Sequence, residues 1–185
     1  MKSILALLFL LSSTAVSSAC LESSSDKIAV KFTAYKTPLK LGVSGNFTSL
    51  KLTKKASGKN WKEATLGNTL IIDASQISTG DKARDKKISK FFFENKKLDA
   101  TITNISEKKK QLTLAVQMNS TTVKKVKMTY KFVKNKLTAV GHIDALDFGM
   151  AKNLKAINKA CLAKHEGKTW SDVQIEFTAQ YGNCK

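Results

Sequence analysis

Histidine and carboxylate side chains are the first candidates for chemistry in this chain, which contains two histidines, His142 and His165. His142 and Asp144 are two residues apart, so they share one face of a strand and could act together in proton transfer. Neither a serine in a nucleophile elbow nor a zinc motif accompanies them. We interpret the pair as a polar outer position of a strand, and we expect the protein not to be an enzyme.

A second group of charged residues surrounds Gly80. Arg84 lies close in sequence to Asp81 and Asp85. We interpret the group as an ion pair of Arg84 with Asp85 or Asp81 that fixes a corner of the chain. The alternative is that Arg84 contacts the head group of a ligand.

Three cysteines, Cys20, Cys161 and Cys184, allow one intramolecular disulfide. If a sheet closes on itself, the start of its first strand and the end of its last strand lie at the same rim. This arrangement favours a disulfide between Cys20 and Cys184. Cys161 with Cys184 is the alternative, and it becomes the natural pair if Cys20 carries a lipid. None of the three cysteines has metal-ligand spacing. We therefore expect neither a metal nor a cofactor.

The first 19 residues have the order of a secretory signal: Lys2, an apolar run at Ile4–Leu11, and small residues up to Ala19. We predict that residues 1–19 are a signal peptide cleaved after Ala19. A lipoprotein leader ending at Cys20 is the rival interpretation, although such leaders usually carry an aliphatic residue where Ser17 stands. Either leader predicts a protein that works outside the cytoplasm, with residues 20–185 as one domain.

The chain is strongly basic, with 32 Lys and Arg against 14 Asp and Glu and a formal charge of +18. This excess is compatible with anionic neighbours, but lysines that alternate on the outer faces of strands also keep a protein soluble. Arginine occurs only at Arg84. Because phosphate and base recognition usually depends on arginine, we expect no nucleic acid partner.

Alternating apolar residues predict a mainly β fold of about eight antiparallel strands. One amphipathic helix is predicted from Met150 to about Lys164, before the last strand. Closure into a barrel would protect the sheet edges. Several predicted inward positions are small, which leaves room for a cavity: Ala34, Ala100, Ala139, Gly141 and Ala179.

The stretch Ile77–Phe93, I-S-T-G-D-K-A-R-D-K-K-I-S-K-F-F-F, resembles the signature of the YceI-like family. The chain departs from that family at Glu94–Lys97, which lacks a common proline, and shortly before Asp147, where Ala145 or Leu146 replaces a common arginine. Its segment Ala151–Lys168 is also richer in helix and lysine than expected. Similar flanking stretches are Val30–Lys36, Gly45–Phe47, Asp147–Gly149 and the terminal strand from Trp170.

The resemblance implies a lipocalin-like β-barrel in the bacterial periplasm. It also implies an apolar tunnel that carries or sequesters a long-chain amphiphile such as a polyisoprenoid, an isoprenoid quinone, or a fatty acid or amide. The alternative function is a non-enzymatic envelope protein that binds anionic surfaces through its lysine-rich exterior. A homodimer is compatible with either function.

Strand alternation alone assigns the residues that would line the tunnel, and a shift of one residue in register would turn any strand's set outward. The predicted lining residues are Val30, Phe32, Phe47, Leu70, Phe92, Ile102, Leu114, Met128, Tyr130, Phe132, Ile143 and Phe177.

Overall fold

A computed structural model describes residues 20–118 and 123–184, so the predicted signal peptide lies outside the described residues. Most of the described chain is antiparallel β-structure, as predicted. The strands are β1 (Leu21–Ser23), β2 (Ile28–Lys36), β3 (Leu41–Phe47), β4 (Leu50–Leu52), β5 (Ala56–Gly58), β6 (Thr69–Asp73), β7 (Ile77–Ser78), β8 (Lys97–Ser106), β9 (Gln111–Gln117), β10 (Val123–Val133), β11 (Lys136–Asp144), β12 (Thr169–Gln180) and β13 (Gly182–Asn183).

The helices are short, and all lie in the connections between strands. No described helix has the length and apolar character needed to cross a membrane. The helices are α1 (Trp61–Thr65), α2 (Lys82–Lys87), α3 (Ala151–Ala160) and α4 (Leu162–His165), with 3₁₀ turns at Ser25–Lys27 and Ala145–Phe148 and a π-helical turn at Ile88–Phe92.

Ten strands form one curled sheet in the order β4-β6-β8-β9-β10-β11-β12-β2-β3-β7. Its end strands are drawn together because β3 and β4 are separated only by Thr48 and Ser49. Each of these residues donates or accepts a backbone hydrogen bond across the gap, Thr48 with Gln76 and Ser49 with Asp73. The sheet is therefore curled into a half-barrel. It contains more strands than the predicted eight, since β4 and β7 are too short to show alternation.

Side chains alternate between the two faces of the sheet as the sequence predicted. On β10, Val126 and Met128 are buried, whereas Lys125, Lys127 and Lys131 are exposed. This pattern places the apolar residues inside the curl and the lysines outside. Burial of the inner face supplies most of the stabilisation that holds such a sheet together.

The two ends of the described chain meet in a small second sheet, ordered β13-β1-β5. A disulfide joins Cys20 to Cys184, with the two Cα atoms 5.3 Å apart, and Cys161 is free. The backbone N–H of Cys184 also donates to the carbonyl of Cys20 at 3.1 Å. The disulfide closes a loop of nearly the whole described chain, which limits the conformational freedom of the unfolded state.

The corner after β7 is organised around Thr79. Arg84 donates from Nε to the Thr79 hydroxyl at 2.8 Å and from Nη2 to the Thr79 carbonyl at 2.7 Å. The carboxylate of Asp85 accepts from the N–H of Thr79 at 2.9 Å and from its hydroxyl. Asp81 instead caps α2. No direct ion pair of Arg84 occurs in the described part of the chain, because Thr79 bridges the two charges.

The predicted amphipathic helix covers the curl and lies between β11 and β12, as expected, although it is divided into α3 and α4. Ile157 of α3 is buried and Leu154 is half-buried against the interior, while Lys152, Lys155 and Lys159 are exposed. An interior position every three or four residues is the pattern of a helix with one apolar face. This helix therefore forms part of the wall of the interior.

Candidate ligand-binding site

The curled sheet encloses a cavity of about 590 Å³. This volume falls within the range of typical pockets for small-molecule ligands. Its walls are inward-facing apolar side chains of the large sheet, completed by Ile88 and Phe92 on one side and by Leu154 and Ile157 of α3 on another.

Exposure of inward-facing side chains shows that the interior is incompletely filled. Val173, Ile175 and Phe177 of β12 all point inward and line the cavity, yet each is only half-buried. By contrast, Leu112 and Leu137 are completely buried. Because apolar side chains in a packed core have almost no accessible surface, the half-buried residues mark a cavity rather than a core.

Ten of the twelve residues predicted to line the interior do border the cavity. The large sheet brings nine of them together from eight different strands, and Phe92 comes from the π-helical turn. These ten are Val30, Phe32, Phe47, Leu70, Phe92, Ile102, Leu114, Met128, Ile143 and Phe177.

Tyr130 and Phe132, the other two predicted lining residues, do not border the cavity, so their assignment is wrong. Trp61 of α1 stacks on Phe132 with ring centroids 4.9 Å apart and meets Tyr130 edge-on at 5.2 Å. Tyr181 packs against Phe132 at 6.0 Å. These four rings fill the space that alternation assigned to a tunnel.

Small residues leave room at three of the five predicted positions. Ala34, Ala100 and Ala179 line the cavity. Ala139 is fully buried in packed surroundings. A Cβ atom on Gly141 would lie 2.8 Å from Cγ of Met128, so that space is already occupied by a neighbour. The prediction is wrong at these last two positions because small residues also serve to admit large partners.

One end of the cavity is lined by the buried polar residues Thr65, Asn68 and Tyr181. The hydroxyl of Tyr181 is hydrogen-bonded to that of Thr65, and Asn68 donates to the carbonyl of Ala64 at 2.6 Å. Burial raises the pKa of Tyr181, so its phenol stays protonated at neutral pH. We call this region, with Thr65, Asn68 and Tyr181, the inner end of the cavity.

At the other end, five basic residues border the cavity, and we call them the basic rim: Lys36, Arg84, Lys87, Lys164 and His165. They come from β2, α2 and α4. Sequence reasoning singled out only Arg84 for a head-group contact. The other four lie far apart in the sequence. Alternation of apolar residues does not predict where side chains at the ends of strands and helices will lie.

Backbone pairing and hydrogen bonds explain why the basic rim converges. Lys36 ends β2 opposite Thr169 of β12. The hydroxyl of Thr169 lies 2.7 Å from Nδ1 of His165, and Nζ of Lys87 donates to the carbonyl of Ala160 at 3.0 Å. Thus α2, the junction of α3 with α4, and the ends of β2 and β12 meet at one place.

The surroundings of His165 in the basic rim shift its pKa. Partial burial lowers its pKa below the usual value, and the positive charges of Lys36 and Lys87 lower it further. Thr169 donates its hydroxyl proton to Asn158 at 2.9 Å, so it accepts from Nδ1 of His165. Neutral His165 therefore carries its proton on Nδ1 and presents Nε2 as an acceptor.

The residues considered for catalysis lie elsewhere. His142 is exposed on β11. The carboxylate of Asp144 accepts from the N–H of Leu146 at 2.8 Å and from the hydroxyl of Ser171 at 3.0 Å. Across residues 20–118 and 123–184, no group of three or more His, Cys, Asp or Glu side chains is arranged to hold a metal ion.

A curled antiparallel sheet around an apolar cavity, with a covering helix and a charged mouth, defines a small barrel-like protein of the lipocalin-like kind. The model of the YceI-like domain matches residues 22–181, and the chain therefore belongs to the YceI-like family. A comparison with curated proteins found no significant match.

Solved structures share this fold at low sequence identity. A polyisoprenoid binding domain from Saccharophagus degradans, implicated in plant cell wall breakdown, has a TM-score of 0.59 at 12% identity and covers 90% of this chain and 99% of its own. BcnA from Burkholderia cenocepacia has a TM-score of 0.59 at 15% identity, covering 86% and 99%. The YceI protein of Campylobacter jejuni has a TM-score of 0.51 at 14% identity, covering 77% and 85%.

Proposed function

We propose that the protein carries or sequesters one long-chain apolar amphiphile, such as a polyisoprenoid, an isoprenoid quinone, or a fatty acid or amide, in its cavity. The observation that carries this proposal is the set of half-buried apolar side chains, including Ile175 and Phe177, around about 590 Å³ of interior space. A similar fold in a domain described as polyisoprenoid-binding supports the choice of ligand class.

Burial of apolar surface would supply most of the binding free energy, at about 25 cal/mol per Å² removed from water. The inner end is lined by the buried residues Thr65, Asn68 and Tyr181, whereas Lys87 and Lys164 at the basic rim are exposed. An apolar chain would therefore enter from the basic rim and end near Tyr181. Its polar head would stay at the rim, because burying an unpaired polar group is unfavourable.

Binding of an unchanged ligand, rather than catalysis, is the activity we propose. The two hydroxyls at the inner end, those of Thr65 and Tyr181, are committed to a hydrogen bond with each other. We propose the periplasm as the location because residues 1–19 have the pattern of a signal peptide. In that location an apolar carrier would solubilise molecules that water excludes.

Two tryptophan substitutions on β12 test the proposal. Ile175→Trp would fill the cavity, whereas Gln174→Trp places the same ring on the other face of the same strand. Farnesol binding, measured by titration of delipidated protein, should be lost in Ile175→Trp and kept in Gln174→Trp. Native mass spectrometry with organic extraction should also identify a bound amphiphile in wild-type protein. Undiminished binding by Ile175→Trp would refute the proposal.

The lysine-rich exterior favours a second candidate function, binding to anionic envelope surfaces. Lys125, Lys127 and Lys131 are all exposed on β10, and the chain has a formal charge of +18. Sedimentation with anionic vesicles should then weaken steeply as salt rises, because exposed charges are screened. Binding of an apolar chain in the cavity should depend little on salt, and this difference separates the two functions.

A further inference from the structure

We infer that the ligand of the cavity has an anionic head group, a phosphate or carboxylate, which the basic rim binds. The inference rests on the proposed function, since it concerns the head of the same amphiphile. Its basis is the convergence of Lys36, Arg84, Lys87, Lys164 and His165 at the open end of an otherwise apolar cavity.

The basic residues of the rim lack direct ion-pair partners among the described residues, and Asp85 faces Arg84 only across Thr79. Lys36, Arg84, Lys87 and Lys164 form no ion pair within the described ranges, whereas Lys40 pairs with a carboxylate at 2.8 Å. Like charges held close together repel each other unless an anion binds between them.

The cavity's acidic residues do not neutralise the rim. Asp81, the cap of α2, interacts electrostatically with Arg84 and Lys87 and offsets one positive charge of the rim. Asp99, the other acidic lining residue, is exposed on β8. An excess of positive charge therefore remains at the rim.

Donors remain for an anion. Arg84 uses its Nε and one Nη2 hydrogen on Thr79, which leaves the other guanidinium N–H groups. Lys87 uses one ammonium hydrogen on the carbonyl of Ala160 and keeps two. Guanidinium and ammonium groups together match the oxygens of phosphate and carboxylate through charge-assisted hydrogen bonds.

His165 would respond to such an anion. Lys36 on β2 and Lys87 on α2 act on it electrostatically. Arg84 on α2, Asp81 at the cap of α2 and Lys164 on α4 line the same cavity. Its Nδ1–H is fixed by Thr169, so a proton would add at Nε2. A bound anion would offset the neighbouring positive charges and raise the pKa of His165. Anionic ligand binding should therefore take up a proton and become tighter as pH falls through the titration of His165.

The test compares farnesyl phosphate with farnesol, which have the same chain and differ at the head. Calorimetric titration of delipidated wild-type protein should give about tenfold to hundredfold tighter binding of the phosphate. The double variant Lys36→Gln/Lys164→Gln should lose most of this difference. Lys127→Gln/Lys131→Gln removes the same charge from the outer face of β10 and should keep it. The His165 pKa, followed by NMR, should rise with farnesyl phosphate and not with farnesol.

The outcomes separate this inference from the proposed function. Equal affinity for the two compounds would overturn the inference and leave apolar chain binding intact. Binding of neither would overturn the proposed function itself. If inorganic phosphate at the same concentration displaced farnesyl phosphate, the rim would be a site for free phosphate, and the assignment to an amphiphile head would be wrong.

Discussion

Ala100 and Ala139 offer a direct measurement of whether the interior is empty in solution. Ala100 lies on β8 between Leu70 and Val116 and lines the cavity. Ala139 lies on β11 between Tyr130 and Phe177, is completely buried and does not line it. Both are alanines on inward faces of the same sheet, so replacing each with leucine makes the same chemical change in two environments.

The two substitutions should have opposite effects on the free energy of unfolding. Ala100→Leu places about three more carbons in the cavity, worth up to ~2 kcal/mol at ~0.8 kcal/mol per buried CH₂. Lost rotamer freedom offsets about 0.5–1 kcal/mol of that gain. The expected net stabilisation is about 1–1.5 kcal/mol, or roughly 2–6 °C in Tm. Ala139→Leu has no free volume and should destabilise by about 1–3 kcal/mol.

Urea unfolding of delipidated protein at 25 °C measures both changes, and a constant m-value would show that the unfolded state is unaffected. Farnesol binding provides a second readout, because Ala100→Leu should weaken it by occupying the same space. If Ala100→Leu destabilised the protein as much as Ala139→Leu does, the interior around Ala100 would be packed. The cavity and the function built on it would then be refuted.

Three further predictions concern the elements that hold the cavity together. Cys184→Ser should cost about 2–5 kcal/mol in urea unfolding, whereas Cys161→Ser should change stability by less than about 0.5 kcal/mol; equal effects would contradict the disulfide of Cys184. Thr79→Val removes the hydroxyl between Arg84 and Asp85 and should cost about 1–3 kcal/mol, and an unchanged midpoint would show that this bridge adds no stability. The lowered pKa of His165 means that the unfolded chain binds its proton more readily, so stability should fall as pH drops below about 6.5. His165→Asn should flatten that part of the pH profile, and an identical profile would assign the loss to other groups.

Alternation predicted the faces of the strands well because burial of one face imposes a period of two residues. It therefore placed Val30, Phe32 and Ile102 correctly in the interior of a curled antiparallel sheet. The strand count was low because β4 and β7 contain only three and two residues. Segments this short cannot show a period.

Alternation predicts which face of a strand is buried, but it does not predict which side chains fill the space in front of that face. The wrong assignments at the site have this cause. Tyr130 lies on the predicted face of β10 but packs against Trp61, which belongs to the five-residue helix α1 and is distant in sequence. The basic rim was missed for a related reason. Lys36 and His165 come together only through the pairing of β2 with β12 and the hydrogen bond to Thr169.

The two ends of the cavity differ in exposure, and this difference decides which way a ligand can lie. Thr65, Asn68 and Tyr181 at the inner end are buried. Lys87 and Lys164 at the basic rim are exposed, so we expect a chain to enter there. A chain inserted with its head inward would bring a polar group against Thr65 and Tyr181, which already satisfy each other. Burial at one end of the cavity and charge at the other therefore favour the same orientation, with the apolar chain inside and the head at the basic rim.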